Sequence, residues 1–295
     1  MLVQFDCYKC IFNQIVEMAK SSSEDDRVRR RMLRDFIGQV VAHADDSTPP
    51  EMASHFYDIY CRETGIEDPF AQIKEKSTQL ARQLYDEFAG LVKQADDPLA
   101  MALRIVIGGN VIDFGANPDF QLSQAADAIR QTIDLPVDET MLELLRAKAA
   151  AAGTVFYILD NCGEAVLDRL LLEYLGGPDK VTLGVRGKPI LNDITPAELA
   201  ASDLADYRVI DTGDRAPGVS LRHSRPEFLQ KLYASDLVIA KGQGNFESLG
   251  DVPGLENLFF LFRVKCPVIA AQTRAEPGSL QIRRGKAAET LEESM

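Results

Sequence analysis

From Lys9 to about Asp134, apolar side chains return at three- and four-residue steps between polar ones, which predicts a series of helices. Between Phe70 and Lys93 the returning positions include Leu80, Leu84, Phe88 and Leu91, a single buried face. Ser23 stands before Glu24, Asp25 and Asp26, which reads as an N-cap followed by an acidic first turn. Asp68-Pro69 and Asp97-Pro98 each put a capping side chain before a proline at the first helical position. Gly65 lies where a helix would end. Roughly four to six helices fit this stretch, packed as a bundle or cap.

After about residue 150 the period changes. The runs TVFYIL, KVTLGV, YRVIDT, DLVIA and NLFFLF read as buried strands. Helical segments alternate with them, one opened by Thr195-Pro196 and another by Ser224 with Pro226. Alternation with short connections predicts a largely parallel sheet covered on both faces. Pro267 to Ala271 reads as a further edge strand, and Gln281 to Met295 as a charged tail. The expected organisation is a helical domain over 1–134, an α/β domain over 135–280 and a tail over 281–295.

Composition narrows the function. A chain of 295 residues is long enough for two domains at about 150 residues each. With 46% hydrophobic residues a sizeable core is expected. The net charge of −13 argues against nucleic acid as the main partner, since no excess of Lys and Arg is available to displace counterions. Asp6 and Lys9 interrupt the amino terminus where a signal peptide would be apolar, and the dense apolar run Leu255 to Phe262 is too short to span a bilayer. No membrane association is expected. Five cysteines without a regular framework fit a reducing, cytoplasmic setting. The sequence carries no signal of oligomeric state.

Candidate chemistry lies where strands give way to helices. Asp160 and Asn161 follow TVFYIL and precede an amphipathic segment from Gly163 to Leu175. That is where open α/β sheets bind ligands, and two adjacent oxygen donors suit magnesium or manganese better than zinc. Either residue would also serve as an ordinary N-cap, and Glu164 three positions after Asn161 completes a capping pair. A cap needs only one such residue. Asn192-Asp193 is a second oxygen pair, after KVTLGVRGKPIL; alone it reads equally as a turn.

The segment KGQGNFE carries the strongest local signal. Gly242 and Gly244 allow close backbone approach, Lys241 supplies a point charge suited to phosphate, and Asn245 sits in an opening helical turn. It does not match the Walker pattern, and a flexible glycine turn is the plain alternative. Gly108-Gly109-Asn110 with Asp113, and Thr212-Gly213-Asp214 with Ala216-Pro217-Gly218, are further glycine-rich loops beside polar groups. Cys7-x-x-Cys10 lacks a second pair at zinc-finger spacing and is expected to be a pair of packed thiols on a helix, not ligands of a catalytic metal. His43, His55 and His223 form no ligand spacing.

The ordered series of C-x-x-C, GGNVID, LDNCGE, a strand-end ND, a TG…APG loop and KGQGN closely resembles the metal-dependent damage-control phosphatases. This family was first labelled domain of unknown function eighty-nine, and the chain looks like its C-x-x-C archaeal and bacterial branch. The resemblance runs from Cys7 to Ala271. It implies a multihelical domain on a Rossmann-like three-layer α/β/α domain, with a divalent metal (magnesium, manganese, cobalt or nickel) in the cleft. It implies metal ligation by Asp160, Asn161 and Asp193, and a phosphate contact from Lys241. Asn110, Asp113, Glu164 and Thr212 are then candidate substrate contacts, together with Gly213, Gly242, Gln243 and Asn245. Gln243 stands where some branches carry Asp, which bears on substrate identity more than on chemistry.

The expected reaction is hydrolysis of a small phosphomonoester, a sugar phosphate or a damaged phosphorylated metabolite. Attack by water and attack by an aspartate, Asp160 or Asp193, are both compatible with the residues. Two other classes stay open. A Rossmann-like methyltransferase with an adenosyl cofactor is one, although LDNCGEA lacks the glycine fingerprint of dinucleotide sites. A non-catalytic module that binds a metal or a phosphometabolite is the other.

Overall fold

The structure, a computed structural model, describes residues 1–111 and 122–288. Three helices open the chain: α1 (Cys7–Ser22), α2 (Asp26–His43) and α3 (Pro49–Thr64). They close on their own apolar cluster, in which Ile15, Met32, Phe36 and Phe56 are fully buried. Four more follow: α4 (Ala71–Gln94), α5 (Pro98–Gly108), α6 (Leu122–Ile133) and α7 (Glu139–Ala151). The α/β part then runs β1 (Val155–Ile158), α8 (Cys162–Tyr174), the short α9 (Gly177–Lys180), β2 (Val181–Val185) and β3 (Arg208–Asp211). It continues with α10 (Pro226–Ala234), β4 (Leu237–Lys241), α11 (Gln243–Leu249), β5 (Leu258–Arg263), α12 (Pro267–Thr273) and β6 (Leu280–Arg284).

The six strands form one sheet in the order β3-β2-β1-β4-β5-β6, parallel except for β6, which runs against β5. Apolar residues on both sides of each central strand explain why the runs looked continuous in sequence. Val155 and Tyr157 of β1 face one way, with Leu103 and Val106 of α5 and Leu145 of α7. Phe156 and Ile158 face the other, with Phe228 of α10, Leu249 of α11 and Ile269 of α12. A further layer covers the first face: Leu84 and Phe88 of α4 and Ile129 of α6 pack on Val166 and Leu170 of α8. The α5 helix, within the segment expected to form a separate cap, thus lies on the sheet itself.

Strand order reverses at β1. The chain passes from β1 outward through β2 to β3, then returns to place β4 on the other side of β1. A crevice opens at such a reversal, outside the carboxyl ends of the two strands. Asp160-Asn161 follow β1, and Lys241 ends β4.

Several local readings hold and several change. Asp97 caps α5, accepting from Ala100 N at 3.1 Å, with Pro98 in the first turn. Gly65 ends α3 in the left-handed region at φ 71°. Ser23, however, closes α1; the cap of α2 is Asp25, which accepts from Arg27 N. Asp68 makes a turn, accepting from Phe70 N, and α4 begins only at Ala71. Thr195-Pro196 opens a single 3-10 turn, Pro196–Glu198, and Ser224 does not cap α10.

The expected strand at Pro267 to Ala271 is a helix, α12, because Pro267 suits a first helical turn and Cys266 caps it. The segment beginning at Gln281, expected to be a tail, instead carries β6. Its Leu280 and Ile282 are inward apolar positions on a two-residue period, masked in sequence by the charges between and after them. Among the described residues no helix is long and apolar enough to cross a membrane.

Because β6 covers the edge of β5, a chain ending at Ser279 is expected to expose that edge and lose burial of Leu280 and Ile282. At about 1.5–3 kcal/mol for each side chain, its melting temperature should fall by at least about 6 °C. A melting curve within about 1 °C of the parent would return this segment to a tail.

Candidate active site

The loop after β2 folds back onto the end of β1. Ile194 N donates to Asp160 O at 2.9 Å, Cys162 N donates to Asn192 O at 2.9 Å, and Asn161 and Asp193 form an antiparallel bridge. This backbone pairing sets Asp160, Asn161 and Asp193 beside one another. Asn161 occupies the N-cap position of α8 but makes no side-chain cap. Its Nδ2 instead donates to Asp160 Oδ2 at 3.0 Å and to Glu164 Oε2 at 3.3 Å. The capping alternative is therefore not realised, and the carboxamide belongs to an acidic cluster.

Asn110 joins from the 3-10 turn after α5, its Nδ2 donating to Asp160 Oδ2 at 2.9 Å and to Glu164 Oε2 at 2.5 Å. Its Oδ1 is buried without a hydrogen-bond partner among the described residues. Gly242 allows the strands to close: at φ 80°, a β-carbon there would stand 2.0 Å from Asp160 Oδ2.

Two buried cations hold the carboxylates. Arg186, fully buried just after β2, donates from Nε to Asp193 Oδ2 at 2.8 Å and places Nη2 3.7 Å from Asp160 Oδ1. Lys241, also fully buried, contacts Glu164 Oε1, Asp168 Oδ1 at 2.7 Å and Val106 O at 3.0 Å. Tyr157 donates to the same Asp168 oxygen at 2.8 Å. Four carboxylates thus face two cations, leaving two formal negative charges. Burial raises the Asp160 carboxyl to about 8, with the charges of Asp193 and Glu164 adding and Arg186 and Lys265 opposing. Burial raises Asp193 as well, against Arg186, and Asp168 to about 6, against Lys241.

The structure changes the role open to Lys241. An ammonium has three donors, and three acceptors already surround this one inside the protein. An exposed cation, Lys265, acts by its charge on Asp160, Asp193 and Glu247. Gln243 ties its backbone down, accepting from Lys265 N at 2.8 Å. Gln243 also donates to Glu247 at 2.7 Å. Asn245 is buried as a brace: its Oδ1 accepts from Arg186 Nη1 at 3.3 Å and Val219 N at 3.1 Å, and its Nδ2 donates to Lys241 O. Thr212 and Gly213 pack against Gly187, next to Arg186, with Thr212 Oγ1 accepting from Gly187 N at 3.1 Å. Asp113 lies outside the described residues.

The sequence pattern does not single out Arg186, Asp168, Tyr157 or Lys265. Arg186 stands in RGKP, which reads as a surface turn, and Asp168 and Tyr157 read as ordinary helix and strand positions. Among the described residues no three His, Cys, Asp or Glu side chains form a ready-made metal cluster. An oxygen set here draws on carboxamides as well as carboxylates. Cys7 is half-buried near Glu247, Cys266 and Cys10, and burial raises its thiol. His43 and His55 stack on each other at 4.7 Å, in the helical part. An apolar cavity of about 310 Å³, lined by Met18, Tyr57, Tyr60, Phe70 and Leu191, lies beside α1, and the charge of Asp193 acts on its Tyr57.

Fold and site define an α/β protein with a buried oxygen-donor cluster at a strand-order reversal. The damage-control phosphatase ARMT1-like domain matches residues 3–280, and the chain belongs to that family. It is 31% identical over 293 residues to damage-control phosphatase PH1575 of Pyrococcus horikoshii, covering 97% of this chain and 99% of that protein. It is 27% identical over 282 residues to a damage-control phosphatase of Archaeoglobus fulgidus, covering 93% and 96%. The crystal structure of PH1575, a DUF89 family protein, superposes with a TM-score of 0.85 at 29% identity, over 97% of this chain and all of that one. Family and relatives support a phosphatase role, and hence a hydrolase, in general.

Two outcomes follow from this geometry. Gly242→Ala is expected to cost at least about 1–3 kcal/mol through its backbone conformation alone, with more from the push on Asp160. A melting temperature equal to the parent's would show that β1 and β4 do not approach as described. The second outcome concerns pH. The folded Asp168 carboxyl, raised to about 6 from 3.8, keeps its proton where the unfolded chain has released it. Its contribution to stability therefore falls as pH rises from about 4 to about 6. The stability advantage of the parent over Asp168→Asn should shrink across that window in calorimetry; an advantage that grows would contradict the raised value.

Proposed function

We propose that the chain is a divalent-metal-dependent phosphatase acting on small phosphomonoesters, sugar phosphates or damaged phosphometabolites. The observation that carries this is the unpartnered, buried Asn110 Oδ1 beside a cluster in which four carboxyl groups face two cations. Buried acceptors and charges of this kind call for a cation. The donors are all oxygen, which suits magnesium or manganese and admits cobalt or nickel. Asp160, Asn161 and Asp193 would hold the ion. When bound, it would polarise a phosphoryl oxygen and lower the pKa of a water.

The protein's own residues divide the remaining work. Arg186 orients Asp193 and offsets its charge. Glu164 and Asp160 hold the two carboxamide NH2 groups. Lys265, exposed at the rim, replaces Lys241 as the residue assigned to the substrate phosphate; Lys241 is committed to Glu164 and Asp168. The relatives' names, damage-control phosphatase, support small phosphorylated metabolites as substrates. Five free cysteines support a reducing, cytoplasmic setting.

The test is phosphate release from a panel of phosphorylated metabolites after EDTA treatment, with magnesium, manganese, cobalt or nickel then returned. Release should vanish on chelation and return with metal. Turnover at the parent rate in protein shown to be metal-free would defeat the proposal. Asp193→Asn, which keeps an acceptor for Arg186, should lower turnover at least about 100-fold. Lys265→Ala should raise KM about 10–100-fold, the worth of a charge-assisted hydrogen bond, with metal affinity unchanged. An unaltered KM would remove Lys265 from the phosphate.

A further inference from the structure

We propose that Glu164 is a positioning residue that fixes the orientation of two carboxamides, Asn110 and Asn161, so that both present carbonyl oxygens to a cation, and that Lys241 enforces this arrangement by holding Glu164. The inference rests on the metal reading above. Asn110 Nδ2 lies 2.5 Å from Glu164 Oε2 and 2.9 Å from Asp160 Oδ2. Asn161 Nδ2 lies 3.3 Å and 3.0 Å from the same two oxygens. A carboxylate only accepts, whereas a carboxamide has a donating end and an accepting end. Two carboxylate oxygens therefore leave each amide one favourable choice, NH2 toward the carboxylates and oxygen away. Turned over, each amide would set its oxygen against Glu164 Oε2, and a proton on Asp160 could bridge only one of the two.

The division of labour within Glu164 is the second part of the argument. Its Oε1 faces the Lys241 ammonium and its Oε2 faces the carboxamides. Lys241 has its other partners in Asp168 Oδ1, at 2.7 Å, and Val106 O, at 3.0 Å, so it is fixed from three sides. Glu164 is 1% exposed and Lys241 0%, so water does not substitute for either. A glutamine at this position would therefore not be a mild change. Lys241 can only donate, and it would select the carbonyl end of the new amide. The new NH2 would then point at two NH2 groups. Both asparagines would have to turn over, aiming NH2 at the cation position.

The experiment measures manganese binding to the full-length, EDTA-stripped protein by calorimetric titration, with no turnover required. Glu164→Gln should weaken manganese about 10–100-fold, as loss of a ligand's supporting partner does. Asp168→Asn removes the same charge from the other partner of Lys241 without touching the carboxamides, and its loss should be at least about tenfold smaller. The double variant Glu164→Gln, Lys241→Met frees the new amide to turn its oxygen to the asparagines, and should recover most of the affinity. That recovery is not expected of residues that merely support the fold. If the single variant melts below the assay temperature, the double variant and Asp168→Asn carry the comparison. Equal losses in Glu164→Gln and Asp168→Asn would reduce the effect to charge and overturn the proposal. A double variant no better than Glu164→Gln would do the same, as would Glu164→Gln binding manganese like the parent. A parent without affinity for manganese, magnesium, cobalt or nickel would overturn the metal reading, and this inference with it.

Discussion

Two buried cations, Arg186 and Lys241, allow four carboxylates to stand beneath the carboxyl ends of β1 and β4. Nothing else in this region could exist without them. A carboxylate taken from water into an apolar interior loses several kcal/mol of solvation, about what a close, well-bonded partner returns. Such pairs are poor sources of stability. Here they set geometry: Arg186 fixes one oxygen of Asp193, and Lys241 ties the end of β4 to Glu164 and Asp168, one turn apart on α8. Each cation faces two carboxyl groups, so the carboxyl groups outnumber the cations on both sides of the cluster.

The neutral residues of the cluster are as constrained as the charged ones. Asn245 braces Arg186 and the Lys241 carbonyl at once, so it couples the end of β4 to the loop after β2. Gly242 removes the side chain that would separate β4 from Asp160. Gly242, which reads in sequence as part of a phosphate cradle, lets two strand ends meet around a carboxylate. Both tasks require the same residue type, which is why sequence alone does not distinguish them.

The sheet was legible because its central strands are apolar on both sides: Val155 to Ile158 and Leu237 to Ala240 have no polar position to break the run. Asp160-Asn161 and Asp193 were legible because short polar pairs at the ends of such runs stand out. Less regular elements were not. The β6 strand alternates Leu280 and Ile282 with Gln281 and Arg283, and its charges disguised a two-residue period. Pro267 marked a helix start where an apolar run suggested a strand. Lys241 looked like a free cation because its partners, Glu164 and Asp168, lie more than seventy positions away. Arg186 was hidden for a different reason, since its partner Asp193 is close in sequence. A charged residue after a strand is ordinarily solvated, and only the returning loop that delivers Asp193 makes it interior. Long-range pairing of charge is what a local pattern cannot carry.

The pairing of β1 with β4 has a consequence for how the chain assembles. The neighbouring unit of β1 and α8 is local in sequence and would ordinarily form early, yet α8 carries Glu164 and Asp168 on the side it must bury. Until β4 arrives with Lys241, docking that helix would strand two carboxylates away from water. The helix must wait, or take up protons. A local unit is thereby made dependent on a strand about eighty residues further along, and pairing at that separation is intrinsically slow. The nucleus of this fold is therefore expected to contain both strands and the helix together, with the buried lysine as the piece that lets the others close.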